Sequence, residues 1–247
     1  MNKTVVVTGG SRGIGYDISK SFLENGANVF IGARTRGDWG SDPPPNLHLI
    51  ETDIKNEASV EKLARFAFEM SGSIDVWINN AGYSEWRPLN KIDEKFLMDI
   101  FSTNLIGAFW GCKHASENMP YGGSIINISS IAGKRGSANN SAYAATKFGM
   151  NGLTQSLAKE LGSKKIRVNG ICPVLISTDG LQEALLGEFS PAASQDNFLQ
   201  KFTKEQTALG RLPTGKDVAD ACIFLSSHFA NSITGQNINV DCGVFPQ

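Results

Sequence analysis

Tyr143 and Lys147 stand four residues apart in the stretch 142–161, whose apolar spacing reads as helix, so both side chains fall on one face. A phenol with its usual pKa of ~10 exchanges protons poorly near neutrality, and an adjacent ammonium stabilises the phenolate and lowers that value. A tyrosine so placed can give a proton to an oxygen that is gaining charge, or take one back. Tyr-x-x-x-Lys alone is a frequent surface pairing, and its surroundings give it meaning here. Ser129-Ser130 closes the apolar run before that helix, with Ser130 thirteen residues ahead of Tyr143, and Asn79-Asn80-Ala81-Gly82 closes an earlier run. Asn104 lies inside a helical stretch, where an amide gains little from propensity and so hints at another purpose.

A second group of residues suits phosphates. Thr8-Gly9-Gly10-Ser11-Arg12-Gly13-Ile14-Gly15 joins the first apolar run to a helical one. Glycines there let the backbone turn tightly and approach a pyrophosphate, while the helix N-terminus offers N–H groups and a positive dipole end. In such folds an acid at the end of the second strand usually grips the ribose hydroxyls of NAD. Here that strand ends Gly32-Ala33-Arg34-Thr35-Arg36, and no acid appears until Asp38. A carboxylate repels a 2′-phosphate, whereas a guanidinium holds one with two charge-assisted hydrogen bonds. Arg34 is the first candidate for that role and Arg12 the second, which favours NADP(H) over NAD(H).

These groups need a scaffold that brings distant loops to one edge. Strands are expected at 4–8, 28–33, 47–52, 74–79, 124–129, 166–172 and 237–241, and helices at 17–24, 58–70, 94–117, 142–161 and 217–226. The strands are apolar nearly throughout, as when helices cover both sheet faces. Repeated βα units predict the α/β class: a single-domain, doubly wound Rossmann fold over 1–247 with a seven-stranded parallel sheet. The C-terminal strand ends then share an edge, so Gly9, Asn79 and Ser130 are expected to meet at a cleft. Residues 36–45, with three consecutive prolines, are expected to be a surface connection. Residues 181–207 are sized for a lid over a pocket.

Taken together, the pieces resemble the short-chain dehydrogenase/reductase family nearly end to end. The look is closest to its 3-oxoacyl-acyl-carrier-protein reductases and is shared by many sugar, steroid and polyol enzymes. The matching parts are residues 8–15, Asp53, Asn79-Asn80-Ala81-Gly82, Asn104, Ser130, Tyr143-Ala144-Ala145-Thr146-Lys147 and Thr234-Gly235-Gln236. The resemblance implies a nicotinamide cofactor, with Asp53 and Ile54 at the adenine and Asn80, Ala81 and Gly82 along the adenosine ribose. It gives Ser130 the substrate oxygen, Tyr143 the proton, and Lys147 both the nicotinamide ribose and the lowering of the tyrosine pKa. Asn104 would position a water in a proton relay, and Pro173, Ile176 and Thr178 would meet the nicotinamide end. Two positions depart from the pattern. Val174 follows Pro173 where the family has glycine, which is expected to alter the local path and narrow the pocket. Cys242 replaces a usual glycine and is expected only to pack.

Composition narrows the partners. The 247 residues carry a formal net charge of -1, which gives no global attraction to nucleic acid or anionic lipid. The four cysteines and three histidines form no metal-ligand spacing, so no metal is expected. No apolar run approaches a membrane span, and a cytoplasmic protein is expected. The pocket is expected to be lined by Tyr83, Glu85, Trp86, Ala132 and the lid, with Lys134 or Arg135 facing an acidic group of the substrate or of an acyl carrier protein. Three functions stay open: a ketoreductase of 3-oxoacyl thioesters; a sugar, polyol or cyclic alcohol dehydrogenase; and an NADP-binding regulator without turnover. Kinship also implies a homotetramer, built on 94–117, 142–161 and the last strand.

Overall fold

The computed structural model describes residues 3–246. Seven parallel strands form one sheet, in the order β3-β2-β1-β4-β5-β6-β7. They are β1 (Thr4–Thr8), β2 (Asn28–Ala33), β3 (Leu47–Glu51), β4 (Val76–Asn79), β5 (Gly123–Ile128), β6 (Ile166–Pro173) and β7 (Asn237–Val240). The helices are α1 (Gly13–Glu24), α2 (Glu57–Ser71), α3 (Glu94–Phe101), α4 (Gly107–Glu117), α5 (Ser141–Glu160), α6 (Asp179–Leu185), α7 (Phe198–Gln206) and α8 (Gly215–Ser226). This is the doubly wound α/β fold that the alternation of apolar runs predicts.

Burial on both faces explains why the strands lack polar alternation. Val5 and Val7 point into a core with Ile18 and Phe22 of α1 and Val218, Cys222 and Leu225 of α8. Val6 points the other way, joining Leu63 of α2, Cys112 of α4, and Met150 and Leu153 of α5. Successive side chains alternate across a strand, so both sets must be apolar when both faces are covered. The sequence order turns back between β1 and β4, and the diverging loops there open a crevice at the C-terminal strand ends.

Four features differ from the sequence expectation. The helical stretch 94–117 is interrupted by a π-helical segment, Ser102–Ile106, which contains Asn104. Such wide turns recur at functional sites, and nothing in apolar spacing distinguishes them from α-helix. Residues 36–45 do more than connect. Gly37–Trp39 forms a short helical turn, the Trp39 indole is buried and donates to Gly10 O at 2.9 Å, and Asp38 N donates to Ser11 O at 2.8 Å. Asn79 does not reach the cleft. Its amide accepts from Trp77 Nε1 and donates to Asn127 Oδ1, both at 2.8 Å, within a buried register in which Asn79 faces Asn127.

Cys242 is the fourth. It is half-buried and held at a φ of 55°, where its carbonyl accepts from Ala208 N and Leu209 N. A left-handed backbone, rather than packing, is what the usual glycine serves there. Cys242→Gly is expected to raise stability by about 0.5–1 kcal/mol, because strain of roughly 1–2 kcal/mol exceeds the entropy lost to glycine. Urea unfolding checks this, and a lower midpoint at unchanged slope refutes it. Val174 shows no such strain; it is buried with Ile131 and Val244.

Candidate active site

The turn between β1 and α1 is shaped by what a side chain would strike. A Cβ on Gly15 would overlap the Gly9 carbonyl, and Gly9 itself sits at a φ of 65° with its missing Cβ 2.9 Å from Ala81 Cα. The β4 loop is stitched to this turn by one hydroxyl: Thr8 Oγ1 accepts from Asn80 N at 3.0 Å and Ala81 N at 3.2 Å. The Asn80 amide donates to Thr8 O and Gly9 O at 3.0 and 3.1 Å. Arg12 precedes α1 without a capping side-chain bond, and no acid stands in the first turn. The N–H groups at that helix end are therefore left for an anion, and the residues fit a phosphate.

Of the other residues expected at a nucleotide, Thr178 reaches this turn, while Arg34 follows β2 and Asp53 and Ile54 follow β3. Thr178 caps α6, accepting from Leu181 N at 3.2 Å, and its methyl lies 3.4 Å from where a Gly13 Cβ would stand. The segment after Pro173, with Ile176 buried, thus closes on the glycine turn, where Ser11 is buried and Ile14 packs against the adjoining core. Asp53 forms the turn before α2, accepting from Lys55 N at 3.0 Å, and Ile54 lies against Gly107. Arg34 is exposed just past β2 and helps to hold the Asp99 carboxyl below its ordinary value, after stronger effects from Lys55 and Tyr83. The Arg12 guanidinium lies 3.5 Å from Glu183 of α6, an exposed pair that leaves it free to turn.

At the other end of the crevice, Ser130 follows β5 and Tyr143 projects from α5. The Tyr143 phenol lies close enough to Ser130 for that hydroxyl to lower its pKa, and Ser130 Oγ accepts from Ala132 N at 3.1 Å and donates to Pro173 O at 3.5 Å. Lys147 is buried; its ammonium donates to Ile128 O at 2.8 Å and stands 5.6 Å from the centre of the Tyr143 ring. Burial lowers Lys147 to about 8 and pushes Tyr143 up to about 12. The expected depression of the phenol by Lys147 is absent here, because the ammonium faces a carbonyl and desolvation of the phenolate outweighs the lowering by Ser130.

Asn104 is fully buried: Oδ1 accepts from Tyr83 N at 3.0 Å, and Nδ2 donates to Tyr83 O at 2.8 Å and to Thr146 Oγ1 of α5 at 3.4 Å. The side chain thus fixes the loop that follows Gly82. The Tyr83 hydroxyl in turn donates to Asp99 Oδ2 at 2.8 Å, and Lys55 Nζ donates to Asp99 Oδ1 at 3.0 Å. Sequence reasoning gave Asp99 no role, since an acid on a solvated helix carries no distinguishing signal.

Two residues expected at the rim lie elsewhere. Lys134 Nζ donates to Asn237 O of β7 at 2.6 Å, and the Arg135 guanidinium sits 5.5 Å from the Phe245 ring centre. Both turn toward the C-terminal strand. Sequence gives the position of a cation along the chain and not the direction of its stem.

Comparison with known proteins agrees with this geometry. A family model described as enoyl-(acyl carrier protein) reductase matches residues 9–245. The 3-oxoacyl-[acyl-carrier-protein] reductase of Chlamydia muridarum is 37% identical over 99% of this chain and 98% of its own. A diacetyl reductase [(S)-acetoin forming] of Staphylococcus aureus is 32% identical over 98% of each. The ligand-free aldohexose dehydrogenase of Thermoplasma acidophilum superposes with a TM-score of 0.88 at 29% identity, over 100% of this chain and 98% of that one. With phenol and ammonium together on α5, a turn that fits a phosphate at the end of β1, and full-length relatives of this kind, the chain belongs to the short-chain dehydrogenase/reductase family, oxidoreductases that use a nicotinamide cofactor on carbonyl and CH–OH groups.

Proposed function

We propose that this chain is an NADP(H)-dependent ketoreductase of 3-oxoacyl thioesters, working toward the alcohol, with an acyl carrier protein as the partner that presents the substrate. The observation that carries the reading is the placement of the Tyr143 phenol beside Ser130, with Lys147 Nζ 5.6 Å from its ring centre; burial pushes the phenol up to about 12, which favours the protonated form. A neutral phenol at physiological pH is the form that donates a proton to an alkoxide. The cofactor, when bound, supplies hydride to the carbonyl carbon. Ser130 and Tyr143 then hold the carbonyl oxygen between two O–H donors, an arrangement that stabilises growing negative charge. Lys147 would hold the nicotinamide ribose, Asn104 fixes the loop that follows Gly82, and residues 181–207 act as the lid of the single domain.

The 3-oxoacyl substrate is favoured by three 3-oxoacyl-[acyl-carrier-protein] reductase relatives, 37%, 34% and 37% identical over 99% of this chain. The diacetyl reductase and aldohexose dehydrogenase likenesses keep small diketones and sugars as the second reading. A screen of 3-oxoacyl thioesters, diketones, ketoses and cyclic ketones with NADPH tests both. Turnover confined to sugars or polyols would overturn the first, and no turnover on any class would leave a nucleotide-binding regulator.

The preference for NADP(H) rests on Arg34, exposed where an acid would otherwise contact ribose hydroxyls. Arg34→Ala is expected to weaken NADPH binding by ~10-fold or more while NADH changes little, because only the former loses a charge-assisted pair. Equal losses in titrations of the two cofactors would refute the role. A homotetramer and a cytoplasmic setting belong to the same reading. Self-association is supported by Met98, Phe109 and Phe148, each about half exposed on α3, α4 and α5. Four free cysteines suit a reducing compartment. Among the described residues no helix is long and apolar enough to cross a membrane.

A further inference from the structure

Arg12 is approached from two sides. The residues just before it are bonded to the chain that leaves β2: Gly9 N donates to Gly32 O at 2.7 Å, Asp38 N to Ser11 O at 2.8 Å, and the Trp39 indole to Gly10 O at 2.9 Å. Arg34 lies between Gly32 and Asp38 in that chain. The start of α1 and the end of β2 are therefore adjacent, and the end of β2 is where this fold tells a 2′-phosphate from a ribose hydroxyl.

The lid arrives from the other side. Thr178 caps α6 with its hydroxyl, and its methyl lies 3.4 Å from where a Gly13 Cβ would stand. A turn further along α6, Glu183 reaches back to the glycine turn, with its Oε1 3.5 Å from Arg12 Nη1. The lid's first helix is thus tied to that turn twice, by a packing contact and by an ion pair. Packing does not sense the charge of a cofactor, whereas an ion pair does. The two side chains are 59% and 65% exposed, so the pair is weak and readily exchanged. A 2′-phosphate, with a charge of about -1.5 to -2 and three acceptor oxygens, displaces a lone carboxylate from a guanidinium. Glu183 then remains near the phosphate as a like charge, which opposes binding. Both effects act against the phosphorylated cofactor and spare NAD(H).

We infer that Glu183 is a specificity-determining residue, competing with the cofactor's 2′-phosphate for Arg12 and so limiting how strongly the chain prefers NADP(H). The inference rests on the NADP(H) reading above.

The test is the dissociation constants of NADPH and NADH, read by titration of nicotinamide fluorescence, for the native chain, Glu183→Gln, Arg12→Ala and the double variant. Glutamine keeps the length and helix propensity of glutamate without its charge. Glu183→Gln is expected to tighten NADPH ~3-fold or more and to leave NADH within about 1.5-fold of native, which also shows that the variant is folded. Arg12→Ala is expected to weaken NADPH ~5-fold or more, and in that background Glu183→Gln changes NADPH by less than about 1.5-fold. Weaker NADPH binding in Glu183→Gln overturns the inference, being the result for a carboxylate that holds Arg12 ready for the phosphate. Unchanged NADPH binding overturns it too, as does an equal gain on NADH, a gain that persists in full without Arg12, or native NADPH affinity in Arg12→Ala. The NADP(H) reading fails separately, on a native chain that binds NADPH no more tightly than NADH.

Discussion

Tyr143→Phe is expected to lower kcat by ~10²–10⁴-fold while cofactor affinity changes less than about twofold. Phenylalanine keeps the ring and its packing against Ala142 and Phe96 but removes the proton poised beside Ser130. The loss corresponds to about 3–5 kcal/mol of transition-state stabilisation, what one general acid supplies. Because burial pushes the phenol up to about 12, the reducing direction should be nearly flat from about pH 6 to 9, whereas oxidation, which needs the phenolate, should climb with pH. Steady-state rates in both directions across that range check the sign. A Tyr143→Phe enzyme that stays within about tenfold of the native rate would remove the phenol from the mechanism.

Lys147→Met is expected to reduce turnover by at least ~100-fold and yet make the protein more stable at neutral pH. Lys147 is 4% exposed, and burial lowers its pKa from 10.5 to about 8. Between those values the unfolded chain binds a proton that the folded chain has released, so this group makes stability rise with pH across that window. Below about 8 both states are protonated and the fold bears the whole cost of a buried ammonium, about 3 kcal/mol. The bond to Ile128 O returns about 1 kcal/mol, which leaves a gain of about 2 kcal/mol for methionine at pH 7. Denaturant unfolding at pH 7 and through pH 8 to 10.5 measures both parts. A variant less stable at pH 7, with the pH slope retained, would mean that burial is not what depresses the lysine.

Both results would express one compromise. The buried ammonium costs the fold stability, and in the proposed function that cost would serve a contact with a ribose.

Much of this was legible in the chain. Apolar runs without alternation dictated strands covered on both faces, and their spacing dictated the parallel order. Residues 8–15, Ser130 and the 143–147 pair announced themselves because their chemistry is unusual for their positions. What stayed hidden depended on direction in space. Asn79 and Asn80 are adjacent and chemically identical, yet one is buried in the sheet against Asn127 and the other is bound to the glycine turn, since successive residues at a strand end face opposite ways. Lys134 looked like a rim cation, but its stem runs to β7. Trp39 looked like a loop residue, but its indole closes over Gly10.

Amino-acid order alone therefore determined the layers, the edge at which the loops gather and the candidate proton-carrying pair, Tyr143 and Lys147. These follow from periodicity and side-chain chemistry, which are local. Packing alone decided that burial raises the phenol, that Asn104 sits in a π-turn holding Tyr83, and that the Lys147 ammonium meets Ile128 O. Each of these turns on how much water a group loses and which partner lies within about 3 Å of it, quantities that exist only once distant segments have met.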